Sequence, residues 1–150
     1  MALGWGVHNY FFYTMATRAR MGLELANDAV LSVYHHWDGY PQWLGVVLNR
    51  KFNTREKVAE LIDGGDISCI DSDRNWDGQS CEHHVQYYNA RGENTEPRLD
   101  LNFTDYLENG EEYAYVYTLD HEWVCYDLHP TIPQKVIIPS THPSEMEISN

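Results

Sequence analysis

The sequence predicts an α+β fold, with a mainly antiparallel sheet built from two hairpins and two short helices packed on one face. The first observation is a pair of alternating segments near the N-terminus, typical of a half-exposed hairpin. The second is a pair of Tyr-, Val- and Trp-rich segments near the C-terminus, typical of another hairpin. Between them lie two segments with apolar residues at helical spacing. The alternative is two small sheets that sandwich the helices.

The first hairpin is predicted from an alternating pattern. Residues 17–26 alternate Arg18 and Arg20 with apolar side chains, which is the period of a strand with one face in solvent. The Asn-Asp pair at 27–28 tolerates positive φ and can form the turn. Residues 29–36 then return as the second strand.

Two helices are predicted next. Pro41 suits the first turn of a helix over 41–51. The second helix covers 54–63, with Asn53 as its cap and Glu56 at the capping-box position. The residues predicted to face the core are Trp43, Leu44, Val47, Leu48, Val58, Leu61 and Ile62.

The middle of the chain carries weaker signals. Residues 66–80 are polar and predict a loop, and residues 82–90 predict a strand. Residues 91–98 are polar again, and 104–109 predict one helical turn. A long connection with little regular structure therefore separates the second predicted helix from the second hairpin.

The second hairpin has the clearest pattern in the chain. Residues 112–119 and 122–128 are rich in Tyr, Val and Trp, and an Asp-His pair between them forms the turn. The expected organisation is an aromatic N-terminal arm at 1–14, a single α+β domain at 15–130 and a Pro-rich extended tail at 131–150. Three cysteines without close pairs favour thiols in a reducing cytoplasm.

The most distinctive local motif is HWDGYP, at residues 36–41. Together with MATRARMGLEL before it and NTREKVAELIDGGDIS after it, the segment from about 15 to 70 resembles a family of small uncharacterised phage and mobile-element proteins. The match at 112–128 is looser. The resemblance implies a phage accessory protein in the host cytoplasm, and it implies no reaction.

The same motif has a structural and a functional interpretation. In the structural one, Asp38-Gly39 forms a turn, Asp38 caps the following helix, and Trp37 and Tyr40 hold that helix against the sheet. In the functional one, aromatic and His side chains beside two arginines bind the base and phosphate of a nucleotide. The residues predicted to bind a ligand are Arg18, Arg20, Tyr34, His36, Trp37, Asp38 and Tyr40.

A metal site is a further alternative. His36 and Asp38 combined with His83 or His84 would supply three ligands and an open position for a metal-dependent hydrolase. The spacing matches no zinc signature, and nucleophile elbows, phosphate loops and dinucleotide fingerprints are absent from the sequence. The sequence therefore predicts no metal and no cofactor.

The charge distribution is uneven. The net charge is −13, and residues 101–150 carry one basic and nine acidic residues. The acidity of this last third of the chain argues against a basic groove for duplex nucleic acid there, and no apolar run is long enough to span a membrane. An acidic surface could instead attract a host protein with a basic surface. The residues predicted to bind that partner are Glu108, Glu111, Glu112, Asp120, Glu122 and Asp127.

The leading functional hypothesis is a non-enzymatic phage accessory protein that binds and inhibits a host protein through this acidic surface, with an anti-defence role. The alternatives are a small-ligand binder that sequesters a nucleotide signal, the metal-dependent hydrolase, and a structural component of the virion.

Overall fold

The structure is a computed structural model that describes residues 17–70 and 85–140. The predicted arm at 1–14, the end of the predicted tail, and His83 and His84 lie outside the described residues. Within the described ranges, eight strands form one mixed, mostly antiparallel sheet flanked by short helices, which confirms the α+β class. The strands are β1 (Ala19–Glu24), β2 (Val30–His35), β3 (Ile67–Ile70), β4 (Val85–Tyr87), β5 (Arg98–Asp100), β6 (Tyr113–Tyr117), β7 (Trp123–Asp127) and β8 (Gln134–Val136). The helices are α1 (Val46–Lys51), which continues a π-helical turn at Pro41–Gly45, α2 (Arg55–Asp63) and α3 (Phe103–Leu107).

The two predicted hairpins are present and lie side by side. The strand order is β4-β3-β2-β1-β6-β7-β8, and β5 pairs with the start of β2. The hairpins β1–β2 and β6–β7 are antiparallel, and they join through a parallel pairing of β1 with β6 that places Met21 opposite Tyr115. The centre of the sheet is therefore made by a contact between distant parts of the chain.

The turn of the first hairpin has the predicted conformation. Asn27 and Asp28 have φ values of 63° and 68°. Asn and Asp are the non-glycine residues that adopt this left-handed conformation most readily. The Leu25 amide donates to the Ala29 carbonyl at 2.8 Å and closes the turn.

The helices α1 and α2 cover one face of the sheet. Val58, Leu61 and Ile62 of α2 are buried in this main core, as their spacing predicts. The cap of α2 is Thr54, whose side chain accepts a hydrogen bond from the Lys57 amide at 3.2 Å. The prediction of Asn53 as the cap is therefore wrong by one residue.

The opposite face of the sheet is also covered, so the prediction of a solvent-exposed face on β1 is wrong. The helix α3 places the fully buried Tyr106 over this face, where its hydroxyl donates to the Tyr115 carbonyl at 2.6 Å. The Tyr106 ring packs over Gly22. A Cβ at this position would stand 3.1 Å from the Tyr106 hydroxyl. Arg20, on the same face, is only 8% exposed.

Three strands fall where the sequence pattern predicts none. The strand β3 lies inside the predicted loop 66–80, and β5 lies at the end of a polar segment. The strand β8 lies inside the predicted tail 131–150, where it pairs with β7. Each has three or four residues, which is too short for a period of two to show. Among the described residues, no helix is both long and apolar enough to cross a membrane.

Candidate functional site

A set of polar side chains lies on the α3 side of β1 and β2. Arg20 and Tyr34 are directly opposite each other in the antiparallel pair, and residues so paired share a face. The His36 amide donates to the Ile67 carbonyl at 3.1 Å, so the extended backbone continues beyond β2. Because side chains alternate along extended backbone, His36 follows Tyr34 on the same side.

Arg18, Tyr34 and His36 form one interacting group. The Tyr34 hydroxyl lies 2.6 Å from His36 Nδ1, and the charge of Arg18 acts on both side chains. Burial raises the pKa of Tyr34 to about 12, and burial together with the charge of Arg18 lowers the pKa of His36. At neutral pH Tyr34 therefore donates to Nδ1 of a neutral imidazole, which places the ring proton on Nε2.

Arg20 is held in the sheet rather than presented to solvent. Its Nε donates to the Ser32 hydroxyl at 2.9 Å, and a terminal nitrogen donates to the Ser32 carbonyl at 3.2 Å. Burial and the charge of Arg98 lower the pKa of Arg20. Arg98 stands opposite Ser32 in the β2–β5 pair, so two guanidinium groups share one region of this face.

A half-buried carboxylate completes the group. Burial raises the pKa of Glu111, while the charges of Arg20, Arg18 and Arg98 oppose that shift. Asp100 pairs with Arg98 at 3.2 Å. We call this group the arginine face, and its members are Arg18, Arg20, Tyr34, His36, Arg98 and Glu111.

The HWDGYP segment forms a tight turn that packs against the start of β1. Asp38 has a φ of 55°, and the Gly39 amide donates to the Thr17 carbonyl at 2.8 Å. A Cβ on Gly39 would stand 2.9 Å from both that carbonyl and the Ala19 side chain. The buried Tyr115 hydroxyl donates to the Gly39 carbonyl at 2.8 Å. The motif therefore joins the first hairpin to the second.

The predicted cap is not formed by Asp38. The N-cap position of the helical segment is Tyr40, and it has no side-chain cap hydrogen bond. Burial raises the pKa of Asp38, whose charge in turn helps to raise the pKa of Tyr40. The charge that acts on His36 comes from Arg18 instead. Asp38 and Tyr40 therefore form one group and Arg18, Tyr34 and His36 another.

Trp37 contacts His36, and His35 belongs to the core. The Trp37 ring meets the His36 ring edge-on, with centroids 4.5 Å apart, and its amide donates to the Ser68 carbonyl at 2.9 Å. His35 faces the main core, where its Nε2 bonds to the Trp37 carbonyl at 2.5 Å. Burial lowers the pKa of His35 to about 4, so this ring is a neutral structural group.

The predicted acidic surface is divided between two ends of the second hairpin. Asp120 and Glu122 lie at its turn, whereas Glu112 and Asp127 lie at the opposite end. Two of these side chains have partners within the protein. Asp127 bonds to His129 Nδ1 at 2.6 Å, and Glu112 accepts the Arg18 amide at 2.8 Å.

The other two predicted acidic residues border a cavity of about 540 Å³ beside α3. Glu108, which is exposed, and Glu111 line this cavity. Its apolar walls are formed by Leu107, Leu128, Pro130 and Pro133, and its lining contains no Lys or Arg among the described residues. We call this cavity the acidic groove.

The described residues contain no group of three or more His, Cys, Asp or Glu side chains that could hold a metal ion. Since His83 and His84 lie outside them, the alternative of a metal-dependent hydrolase has only His36 and Asp38 in the described part of the chain. Comparisons with protein families, with curated proteins and with solved structures find no match.

Sequence reasoning missed two contributors to the arginine face. Arg98 belongs to a three-residue strand after Pro97, and only the short alternation of Arg98, Leu99 and Asp100 signals it. Glu111 was predicted to bind a partner, but no local pattern shows that it also faces three arginines.

Proposed function

We propose that the protein is a non-enzymatic accessory protein that binds another protein, and that the acidic groove takes a short basic and apolar segment of this partner. The observation that carries the proposal is the lining of the groove. Apolar walls formed by Leu107 and Leu128 lie next to the carboxylates of Glu108 and Glu111. This proposal keeps the acidic partner surface expected from the sequence but limits it to one end of the second hairpin.

The residues that line the groove favour a partner segment with an apolar side chain next to a basic one. Apolar walls favour burial of an aliphatic or aromatic side chain, worth about 25 cal/mol for each Å² removed from water. Carboxylates at the edge favour a neighbouring Lys or Arg and disfavour acidic segments. Ile132 is 71% exposed in the loop between β7 and β8, between the lining residues Thr131 and Pro133.

The host-inhibitor role follows if the captured segment belongs to the functional surface of a host enzyme. Many nucleic-acid-binding enzymes carry segments rich in Lys and Arg. Occupation of such a segment by an acidic protein would block its contact with phosphate groups. The anti-defence role is the same inhibition directed at a defence protein.

Panning of a random peptide library against the protein tests the proposal. We expect enriched peptides to place Lys or Arg beside an apolar residue. Glu108→Lys should weaken their binding about tenfold, which corresponds to about 1.4 kcal/mol. The matched control is Glu122→Lys, which changes the net charge equally at the far end of the hairpin. Equal losses in both variants would show attraction by net charge alone and would contradict the groove.

A further inference from the structure

The arginine face combines donors that suit an anion, and it shares Glu111 with the acidic groove. Arg18 is exposed and its charge acts on Tyr34 and His36, while the Tyr34 hydroxyl bonds to His36 Nδ1 at 2.6 Å. The bond from the Tyr34 hydroxyl fixes the orientation of the His36 ring, whose proton stays on Nε2, and the charge of Arg18 acts on this ring. The N–H donor of His36 is thereby oriented without any rearrangement.

The arginines of this face differ in which carboxylates act on them. Asp100 pairs with Arg98 at 3.2 Å, and Asp66 accepts the Tyr34 amide at 3.0 Å. Glu111 interacts more strongly with the buried Arg20 than with Arg18. Asp100 and Glu111 therefore act mainly on the inner arginines, whereas Glu112 accepts the backbone amide of Arg18 at 2.8 Å. Arg18 is the exposed arginine of this face, and its charge acts on His36.

We infer that Arg18 and His36 bind a phosphate group of a small ligand, and that Trp37 provides a surface for a flat ring attached to that phosphate. A guanidinium and an imidazole N–H suit a phosphate because they supply directional donors to its oxygens. The indole ring is perpendicular to the His36 ring with centroids 4.5 Å apart, which places an aromatic side chain next to the His36 donor. The ligand class is a nucleoside monophosphate or a similar aromatic phosphate.

Inorganic phosphate, adenosine 5′-monophosphate and adenosine are the probes for this site, with the His36 ring signals observed by NMR. Inorganic phosphate should bind with a Kd of roughly 1 mM or tighter. Because a phosphate offsets the charge of Arg18, it should also raise the pKa of His36. Arg18→Gln should weaken phosphate binding at least tenfold. The control Lys57→Gln, on the face formed by α2, removes the same charge and should have no effect.

Three outcomes would overturn parts of the inference. A titration curve of His36 that phosphate leaves unchanged would reject the site. Equal phosphate binding by Arg18→Gln and Lys57→Gln would assign the effect to net charge. If adenosine 5′-monophosphate binds no tighter than inorganic phosphate, the ring surface at Trp37 is rejected and the phosphate site is kept. Arg18 and His36 do not line the acidic groove and Glu108 is not part of the arginine face, so Glu108→Lys tests the groove separately.

Discussion

The buried contact between Arg20 and Ser32 allows a quantitative test of how the sheet tolerates a charge. Ser32 is fully buried and Arg20 is 8% exposed. Ser32→Ala removes the acceptor of Arg20 Nε but leaves the bond from the guanidinium to the Ser32 carbonyl. Hydrogen bonds to charged groups contribute about 1.5–3 kcal/mol. At about 2–4 °C per kcal/mol for a chain of this size, Tm should fall by roughly 3–12 °C.

The double variant Arg20→Met with Ser32→Ala distinguishes two costs of Ser32→Ala. One is the loss of the hydrogen bond itself, and the other is the cost of leaving the buried guanidinium without this acceptor. Once the cation is removed, the missing hydroxyl has no charged donor to leave unpaired. The two substitutions should therefore be non-additive by about 1–2 kcal/mol. Urea unfolding of the wild type, both single variants and the double variant measures this coupling. Ser140→Ala, at an exposed position, is the control and should change the free energy of unfolding by less than about 0.5 kcal/mol.

Additivity of the two substitutions within about 0.5 kcal/mol would refute the reasoning. It would mean that the guanidinium finds another partner when Ser32 is truncated. A fall in Tm for Ser140→Ala as large as that for Ser32→Ala would equally contradict a specific role of the buried contact.

Two further perturbations test the opposite face of the sheet and the end of the second hairpin. Gly22→Ala should cost about 1–3 kcal/mol in urea unfolding, because its Cβ would stand 2.5 Å from Val30 Cγ1; a loss below about 0.5 kcal/mol would contradict this crowding. The hydrogen bond that His129 donates to the Asp127 carboxylate raises the pKa of His129 above 6.5. The stabilisation linked to this histidine should therefore be complete below pH 6.5 and lost as the pH rises through the folded-state pKa. An NMR titration should show that Asp127→Asn lowers the pKa of His129, and an unchanged value would exclude the pair as its cause.

Local chemistry made much of the fold predictable. The alternation of Ala19, Met21 and Leu23 marks β1, and the helical spacing of Val58 and Leu61 marks α2, because both patterns arise within a few residues. The turn at 27–28 is predictable for the same reason. The hairpins and the two helices therefore follow from neighbouring residues alone.

Long-range pairing was not predictable. Nothing near Arg20 indicates that Tyr106 covers its face of the sheet, so the arginine looked exposed. The strand β5 pairs with β2, which lies far from it in the sequence, and this long-range pairing also brings Arg98 to the arginine face. The sequence therefore predicts Arg18, Tyr34 and His36 as members of the site. It does not predict Arg98 and Glu111 as members.

The parallel pairing of β1 with β6 has a consequence for synthesis of the chain. Tyr113 follows Glu24 by about ninety residues, so at a translation rate of roughly 5–20 residues per second β1 waits about 5–20 s for its second neighbour. During that time the first hairpin presents an unpaired apolar edge, which other chains can pair with. Expression at a lower temperature or with a chaperone should therefore raise the yield of monomeric protein more than changes at the exposed surface would.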